Sequence, residues 1–243
     1  RYFGLTSAAA GVYLRAASSC VVSENHIHTI GGKCVYLRVG SADDLIERNL
    51  LRDPRIGGWP WSATKAHEEE QQGVSNRGGR GVVIRFNTIR GTFDGVDVAG
   101  GETDENVGAD CDIDDNSIAG VTDDALEPET ISGINVRVWK NRIDNVFSGM
   151  SIAPDYQGPM YVLYNTFTNY RRGGFKFSLA QAGQIWICHN TLASSAPAAP
   201  AVHPSGPYSN VHFRNNILVG NGSGAVSDDA GESQTGNDFD GDL

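Results

Sequence analysis

Hydrophobic and polar positions recur along this chain with a period near 25 residues, and each repeat is marked by one asparagine. Successive asparagines are 24 to 29 residues apart, except for one gap of 38 residues that indicates an insertion. Self-similarity at such a period is typical of solenoids, in which each repeat forms one coil of a stack. The eight asparagines are Asn25, Asn49, Asn87, Asn116, Asn141, Asn165, Asn190 and Asn216.

Two further columns of the repeat are apolar in all eight copies, which predicts that they face the core. Two residues after the asparagine stand Ile27, Leu51, Ile89, Ile118, Ile143, Phe167, Leu192 and Leu218. Three residues before it stand Val22, Ile46, Ile84, Ile113, Val138, Val162, Ile187 and Phe213. Segments such as VVIRFN and IWICHN alternate in polarity and are rich in β-branched and aromatic residues, which predicts short strands.

The repeat therefore predicts an all-β fold, a single-stranded right-handed parallel β-helix of about eight coils. Each asparagine is expected at a bend, where its amide bonds the asparagine of the next coil. We expect residues 1–243 to form a single domain, because each coil buries its apolar side against its neighbours. Residues 52–80 are predicted as an inserted loop and residues 222–243 as an irregular C-terminal tail, since the apolar columns stop after Leu218. The sequence leaves open whether further coils or a cap precede the first residue.

Composition excludes two classes of partner. The chain carries 19 Lys and Arg against 29 Asp and Glu, a formal net charge of −10, whereas a nucleic-acid partner requires a basic face. No segment approaches the ~20 apolar residues of a membrane span, so no membrane partner is expected. The four cysteines lack zinc-site spacing, and free thiols are favoured while a Cys20–Cys34 disulfide stays open. The chain shows no signal peptide and begins with Arg, and it does not indicate the oligomeric state.

Acidic side chains gather on the strand that opens eight residues after each asparagine. The strand segments align on the inward residues Val96, Leu126, Met150 and Phe175. This alignment puts Asp97, Glu127, Ser151 and Lys176 outward in one column, with Asp94, Asp123 and Asp124 at the turn that enters the strand. Carboxylates this close repel each other unless a cation neutralises them, and hard oxygen ligands suit Ca²⁺. The column predicts a Ca²⁺ or substrate site, and a solvated acidic face is the alternative.

Some of these segments resemble a known family. DGV from Asp94, TDDALE with Asp123, Asp124 and Glu127, and GGFKF with Lys176 look like pectate lyases of the ninth polysaccharide-lyase family, whose fold is the pectin-lyase-like β-helix. The resemblance covers residues 94–178 and implies that Asp94, Asp123, Asp124 and Glu127 bind Ca²⁺ and that Lys176 is the base. The chain departs from the family at Glu127, where an Asp is expected. It also departs by one extra coil, residues 149–172, between the acidic coils and Lys176.

The implied chemistry is β-elimination across a uronic acid, in which a base removes the proton at C5. Arg171 and Arg172 precede Lys176, and as close cations they are expected to lower its pKa and to complete the catalytic set. Trp59 and Trp61 in the inserted loop are expected to stack on sugar rings. Asp97, Ser151 and His203 are expected to extend the substrate-binding face along the column.

The sequence as a whole favours a secreted or cell-surface carbohydrate-active protein that acts on an acidic polysaccharide, with a Ca²⁺-assisted lyase as the first choice. One alternative is a glycoside hydrolase using paired carboxylates, because TFDG and TDDA resemble the motifs of polygalacturonases, although the Gly-His-Gly of that family is missing. A second alternative is a non-catalytic solenoid of the tailspike or adhesin kind that binds glycans. The irregular coils and the single large insertion favour an enzyme.

Overall fold

The fold is a parallel β-helix made of three sheets, as the repeat predicts. The computed structural model describes residues 2–4 (backbone only), 10–52, 60–65, 70–99, 108–129, 133–178, 183–221, 224–227 and 236–243. All strand pairs within these sheets are parallel, and the short helix α1 (Trp61–Thr64) lies between the seventh and eighth strands. Among the residues described, no helix has the length and apolar character needed to cross a bilayer.

Each coil contributes one strand to each sheet. Sheet I contains β1 (Tyr2–Gly4), β4 (His26–His28), β7 (Leu50–Arg52), β10 (Thr88–Arg90), β13 (Ser117–Ala119), β16 (Arg142–Asp144), β19 (Thr166–Thr168), β22 (Thr191–Ala193) and β25 (Ile217–Val219). Sheet II contains β2 (Ala10–Leu14), β5 (Lys33–Arg38), β8 (Gln72–Arg77), β11 (Asp94–Val98), β14 (Asp124–Glu127), β17 (Ser148–Ile152), β20 (Gly173–Phe177) and β23 (Val202–Pro204). Sheet III contains β3 (Val21–Ser23), β6 (Leu45–Glu47), β9 (Val83–Arg85), β12 (Asp112–Asp114), β15 (Val136–Trp139), β18 (Met160–Leu163), β21 (Ile185–Cys188), β24 (Val211–Arg214) and β26 (Asp238–Asp240).

The two apolar columns predicted from the repeat form much of the core. Every member of both columns is buried, and the columns run through sheets I and III in register, as in the pairs Ile118 with Ile143 and Ile113 with Val138. Strands of three or four residues are too short to stand alone, so the continuous burial along the axis holds each coil in place.

Stacked asparagines hold the bend between sheet III and sheet I. The side chain of Asn116 donates to Asn141 Oδ1 at 3.0 Å and to the Ile84 carbonyl at 2.9 Å, and its backbone N–H donates to Asn141 Oδ1 at 3.0 Å. The pattern repeats along the whole ladder from Asn25 to Asn216, where the Asp242 carboxylate is the last acceptor. The predicted asparagine ladder is confirmed.

The residue before each ladder asparagine has a left-handed backbone conformation. These residues have φ between 51° and 57° and are Glu24, Arg48, Phe86, Asp115, Lys140, Tyr164, His189 and Asn215. The left-handed region costs an L-residue roughly 1–2 kcal/mol, and bulky side chains adopt it rarely. The ladder hydrogen bonds compensate for this strain at every coil.

Both irregular segments predicted from the sequence contain regular strands. Within 52–80, residues 72–77 form strand β8, which pairs with β5 and β11, so the inserted loop is shorter than predicted. Within 222–243, strand β26 pairs with β24, and Phe239 stacks on Phe213 with ring centroids 4.3 Å apart. All four cysteines are free thiols in the structure, so Cys20 and Cys34 are not bridged.

A ladder asparagine should contribute far more to stability than its exposed neighbour. Asn141→Ala removes the acceptor of two Asn116 N–H groups and leaves the Ile113 carbonyl without its donor. We expect the free energy of unfolding to fall by on the order of 2 kcal/mol or more, because buried polar groups lose their partners. Urea unfolding measures this change. Arg142→Ala, at the adjacent exposed position, is the control, and equal effects of the two variants would contradict the ladder's role.

Candidate functional site

The outer face of sheet II carries the polar column predicted from the sequence. Asp97 pairs with Glu127, and Lys176 pairs with Ser151 on one side and His203 on the other. The inward partners Val96, Leu126, Met150 and Phe175 align as predicted and are buried. The sequence alignment of these coils is therefore confirmed, including the extra coil that contains Ser151.

Small residues let neighbouring coils of sheet II approach closely. A Cβ atom placed on Gly149 would lie 2.5 Å from the Gly174 carbonyl oxygen and 2.6 Å from the Phe167 ring. On the outer face, the coil between Asp124 and Lys176 presents only the short side chains of Ser148 and Ser151. A long side chain can therefore cross this coil.

Lys176 crosses it and reaches the acidic coils. Its Nζ lies 2.5 Å from Asp124 Oδ2, with Asp124 fully buried and the Lys176 side chain 14% exposed. Burial alone would lower the pKa of Lys176, but the Asp124 carboxylate opposes it, with help from Asp123 and Glu129, and the net shift is upward. The expected lowering of this pKa is wrong, because the carboxylates that reach it from other coils outweigh the effect of burial. The role of Lys176 as a base stays a prediction.

Three carboxyl groups form one tight cluster beside Lys176. Single carboxylate oxygens of Asp124, Glu127 and Glu129 all lie within 4.8 Å of one another. The Ser151 hydroxyl donates to Glu129 Oε1. The sequence analysis missed Glu129, since it lies beyond the end of β14 and after Pro128, where strand alternation no longer indicates direction. Its only sequence signal is its place in the acidic segment DDALEPE.

The pKa values of both glutamates in this cluster are raised. Burial, followed by the charges of Asp94 and Glu129, raises the pKa of Glu127 well above its ordinary value. Burial raises the pKa of Glu129 to about 7, although the Ser151 hydrogen bond and the Lys176 charge act in the opposite direction. Both side chains are partly exposed, in contrast to Asp124 beneath them. The cluster therefore presents two carboxyl groups to solvent that both hold a proton more tightly than an ordinary glutamate does, and Glu129 does so with a pKa of about 7.

The remaining predicted acidic residues have partners of their own. Asp123 is paired with Lys65 at 3.0 Å, and Asp97 with Arg77 at 2.7 Å. Asp94 Oδ2 accepts from the Gln72 amide at 3.2 Å, and burial together with Asp124 and Asp123 raises the pKa of Asp94 well above its ordinary value. Of the four predicted metal ligands, only Asp124 and Glu127 belong to the tight cluster.

The three partners Lys65, Gln72 and Arg77 all come from residues 52–80, where the sequence analysis assigned no charged residue to the site. Lys65 follows α1, whereas Gln72 and Arg77 lie at the two ends of β8. Each pairs with an acidic residue on a later coil. Only the coil register brings the two together, so the sequence carries no local signal for these contacts.

The other predicted site residues that the structure describes have contacts outside the carboxyl cluster. Trp61 is 38% exposed, with its ring centroid 6.2 Å from that of Phe147, which directly precedes β17. Arg172 lies over the same Phe147 ring at 5.9 Å, whereas Arg171 is exposed. His203 Nδ1 is 3.1 Å from Ser227 Oγ. Trp59 lies outside the described residues, and the substrate and catalytic roles of this group stay predictions.

Comparisons with known proteins agree with the fold. The sequence profile of the family described as right handed beta helix region matches residues 10–192. No curated protein sequence matches the chain.

Solved structures with the same architecture include one enzyme and one adhesin. The catalytic unit of a thermostable GH87 alpha-1,3-glucanase from Streptomyces thermodiastaticus strain HF3-3 has a TM-score of 0.58 at 15% identity, over 94% of this chain and 49% of that structure. PfbA, a surface adhesin of Streptococcus pneumoniae, has a TM-score of 0.57 in two structures, at 9% and 10% identity. The match to PfbA covers 95% and 94% of this chain and 62% and 66% of those structures. The chain spans about half the length of the glucanase structure, and at these identities the likeness shows the fold alone.

The raised carboxyl pKa values predict how stability depends on pH. The folded chain keeps protons on Glu127 and Glu129 that the unfolded chain has already released, so stability falls as pH rises from the ordinary value of 4.5 to about 7. Glu129→Gln cannot ionise and should make this decline shallower. Urea midpoints measured across this range check the slope.

The control variant has a carboxyl group shifted in the opposite direction. Hydrogen bonds from Asn135 and Arg80 lower the pKa of Asp110, so its stabilising contribution is lost only at lower pH. Asp110→Asn should leave the decline between pH 4.5 and 7 as it is in the parent. A parent-like slope in Glu129→Gln would show that Glu129 is not protonated in the folded chain.

Proposed function

Because this chain belongs to the right-handed beta helix family, we propose that it is an extracellular carbohydrate-active enzyme that cleaves an acidic polysaccharide at the Glu127–Glu129 pair. The observation that carries the proposal is the pairing of two partly exposed carboxyl groups within 4.8 Å of each other, both with raised pKa values, beside the ion pair of buried Asp124 with Lys176. Adjacent carboxyl groups with different affinities for one proton are the requirement for acid–base cleavage of a glycosidic bond.

The environments of the two glutamates suggest their roles. Glu127 forms no hydrogen bond with a described residue, and burial together with the charges of Asp94 and Glu129 raises its pKa, so it keeps its proton and donates it to the leaving glycosidic oxygen. Glu129 ionises first, because the Ser151 hydroxyl and the Lys176 ammonium stabilise its anion, and it attacks the anomeric carbon as the C–O bond breaks. Separations of ~5 Å belong to glycosidases that retain configuration. Water then cleaves the glycosyl ester, with the Glu127 carboxylate accepting a proton from it.

Lys176 supports the choice of an acidic substrate. Its ammonium group stays charged, since its pKa is raised, and it is partly open to solvent and interacts electrostatically with Glu129. A substrate carboxylate in the adjacent sugar can accept a charge-assisted hydrogen bond from it. A neutral glucan offers no such partner.

A second candidate function is the Ca²⁺-assisted lyase that the sequence resemblance implies. Asp124 Oδ1 is buried without a hydrogen-bond partner among the described residues, and it faces a cluster whose three carboxylate oxygens suit a hard cation. The residues therefore fit Ca²⁺, which Asp124, Glu127 and Glu129 would hold. When bound, the ion would neutralise the substrate carboxylate. Lys176 would have to leave Asp124 and lose its proton to act as base, and its raised pKa makes this the second candidate.

Product analysis distinguishes the two reactions. We expect reducing ends to be released from polygalacturonate or alginate without the ultraviolet absorbance of unsaturated uronates. Glu127→Gln and Glu129→Gln should each lower the rate at least ~10²-fold, the usual contribution of general acid–base groups. Asp144→Asn, an exposed carboxylate on sheet I, should keep the parental rate. Unsaturated products would favour the lyase, and polymer binding without any cleavage would leave a non-catalytic glycan-binding protein.

Metal binding is tested separately from cleavage. If the cluster holds Ca²⁺, the melting temperature should rise with added Ca²⁺ by mass action, and Glu129→Gln should remove most of that rise. The exposed Asp110→Asn variant should keep it. Melting curves that do not change with Ca²⁺, in the presence and absence of polygalacturonate, would rule out the metal site.

A further inference from the structure

The polar column of sheet II continues toward the N-terminal coils as an aromatic surface. Tyr13 pairs with Tyr36, Tyr36 with Ser75, and Ser75 with Asp97. Tyr36 thus occupies the same outward column as Glu127, three coils away, which corresponds to roughly 14 Å along the axis.

Both tyrosine rings lie on the surface without an apolar cover. Tyr13 is 51% exposed, Tyr36 is partly exposed, and their ring centroids are 5.5 Å apart at an interplanar angle of 58°. Rigid aromatic faces of this kind provide contact area at low entropic cost, with a hydroxyl for hydrogen bonding. They suit the flat apolar face of a sugar ring.

Two cations flank Tyr36. Lys33 Nζ lies 5.9 Å and Arg38 Cζ 5.4 Å from the Tyr36 ring centroid, and Arg38 donates to the Tyr36 hydroxyl at 2.7 Å. Within the described residues, neither cation lies within 4 Å of a carboxylate, and Asp97, Asp94 and Glu70 act on Lys33 only from a longer distance. In a chain with net charge −10, such cations are available to an external anion.

A second pair of cations lies over an aromatic ring elsewhere in the chain, but these cations are paired with a carboxylate. Arg48 and Arg85 lie over the exposed Phe86 ring, at 5.4 Å and 5.6 Å. Both are also paired with Glu47. That group is neutralised from within, which makes it the matched control for the tyrosine group.

We propose that Tyr13, Tyr36, Lys33 and Arg38 form a binding subsite for a uronic-acid residue of the polymer. The rings stack against the sugar, and the two cations bind its carboxylate. The subsite deepens the proposed function and rests on it for the identity of the polymer, which would lie along sheet II from this subsite to the Glu127–Glu129 pair. The chemistry selects for a sugar that carries both an apolar face and an anion, and a neutral glucan meets only the first condition.

The test separates binding from cleavage. Affinity for polygalacturonate, alginate, chondroitin sulfate and dextran is measured by affinity electrophoresis and calorimetry on the Glu127→Gln background, which prevents turnover. We expect Tyr36→Ala and Arg38→Glu to weaken binding to a polyuronate at least tenfold, and added salt to weaken the parent. Arg38 is exposed, so Arg38→Glu tests the site even if Tyr36→Ala is poorly folded. Phe86→Ala and Arg48→Glu are the matched controls and should bind as the parent does.

The remaining outcomes of this experiment decide separately on the subsite, on its selectivity for the carboxylate and on the catalytic proposal. Unchanged affinity in Tyr36→Ala and Arg38→Glu, equal losses in the Phe86 and Arg48 controls, or no binding of any polyuronate would overturn the subsite. Equal binding of dextran and polygalacturonate would overturn its selectivity for the carboxylate. If the polymer binds as expected but the parent chain does not cleave it, the subsite stands and the catalytic proposal fails. If the parent cleaves polyuronate and Tyr36→Ala and Arg38→Glu leave the KM unchanged, the catalytic proposal stands and the subsite fails.

Discussion

Hydrogen bonds between stacked asparagines are the interaction on which the rest of this structure depends. Each ladder asparagine follows a residue with positive φ, so every coil turns from sheet III to sheet I through a conformation that costs an L-residue energy. The amide accepts from the coil before it and donates to the coil after it, and no apolar residue of the same size can do both. With that bend fixed, the strands on either side have one register, and a slip by one residue would turn the core outward.

The same register determines where the charges meet. Parallel in-register stacking places like positions ~4.8 Å apart, so acidic residues at one position of successive repeats become neighbours. Asp94, Asp97 and Asp123 have partners from adjacent segments, in Gln72, Arg77 and Lys65, although burial still raises their pKa values. Glu127 and Glu129 also have raised pKa values but are partly exposed, which is why we propose them as the reactive part of the face.

The fold could be predicted from the sequence because every coil repeats the same pattern of residues. Much of the site could not, because it forms through contacts between residues of different coils. The columns through Ile143 and Ile113 were predictable because each copy obeys the same pattern. The pKa of Lys176 was not, because the nearest charges in sequence are Arg171 and Arg172 while the dominant charge in space is Asp124, two coils away. Glu129 and Lys65 lie where strand periodicity has ended, so no pattern indicates their direction.

The raised pKa values of Glu127 and Glu129 bear on how an acidic face could bind a polyanion, as we propose. A cluster of fully ionised carboxylates would repel the uronates that Lys33, Arg38 and Lys176 are proposed to bind. Since the pKa of Glu127 is raised well above its ordinary value and that of Glu129 to about 7, this pair carries less negative charge at neutral pH than two ordinary glutamates would. On the proposed path along sheet II, a polymer would meet Lys33 and Arg38 on one side of the pair and Lys176 on the other. The crowding of carboxyl groups that raises these pKa values would therefore ease the approach of an anionic chain.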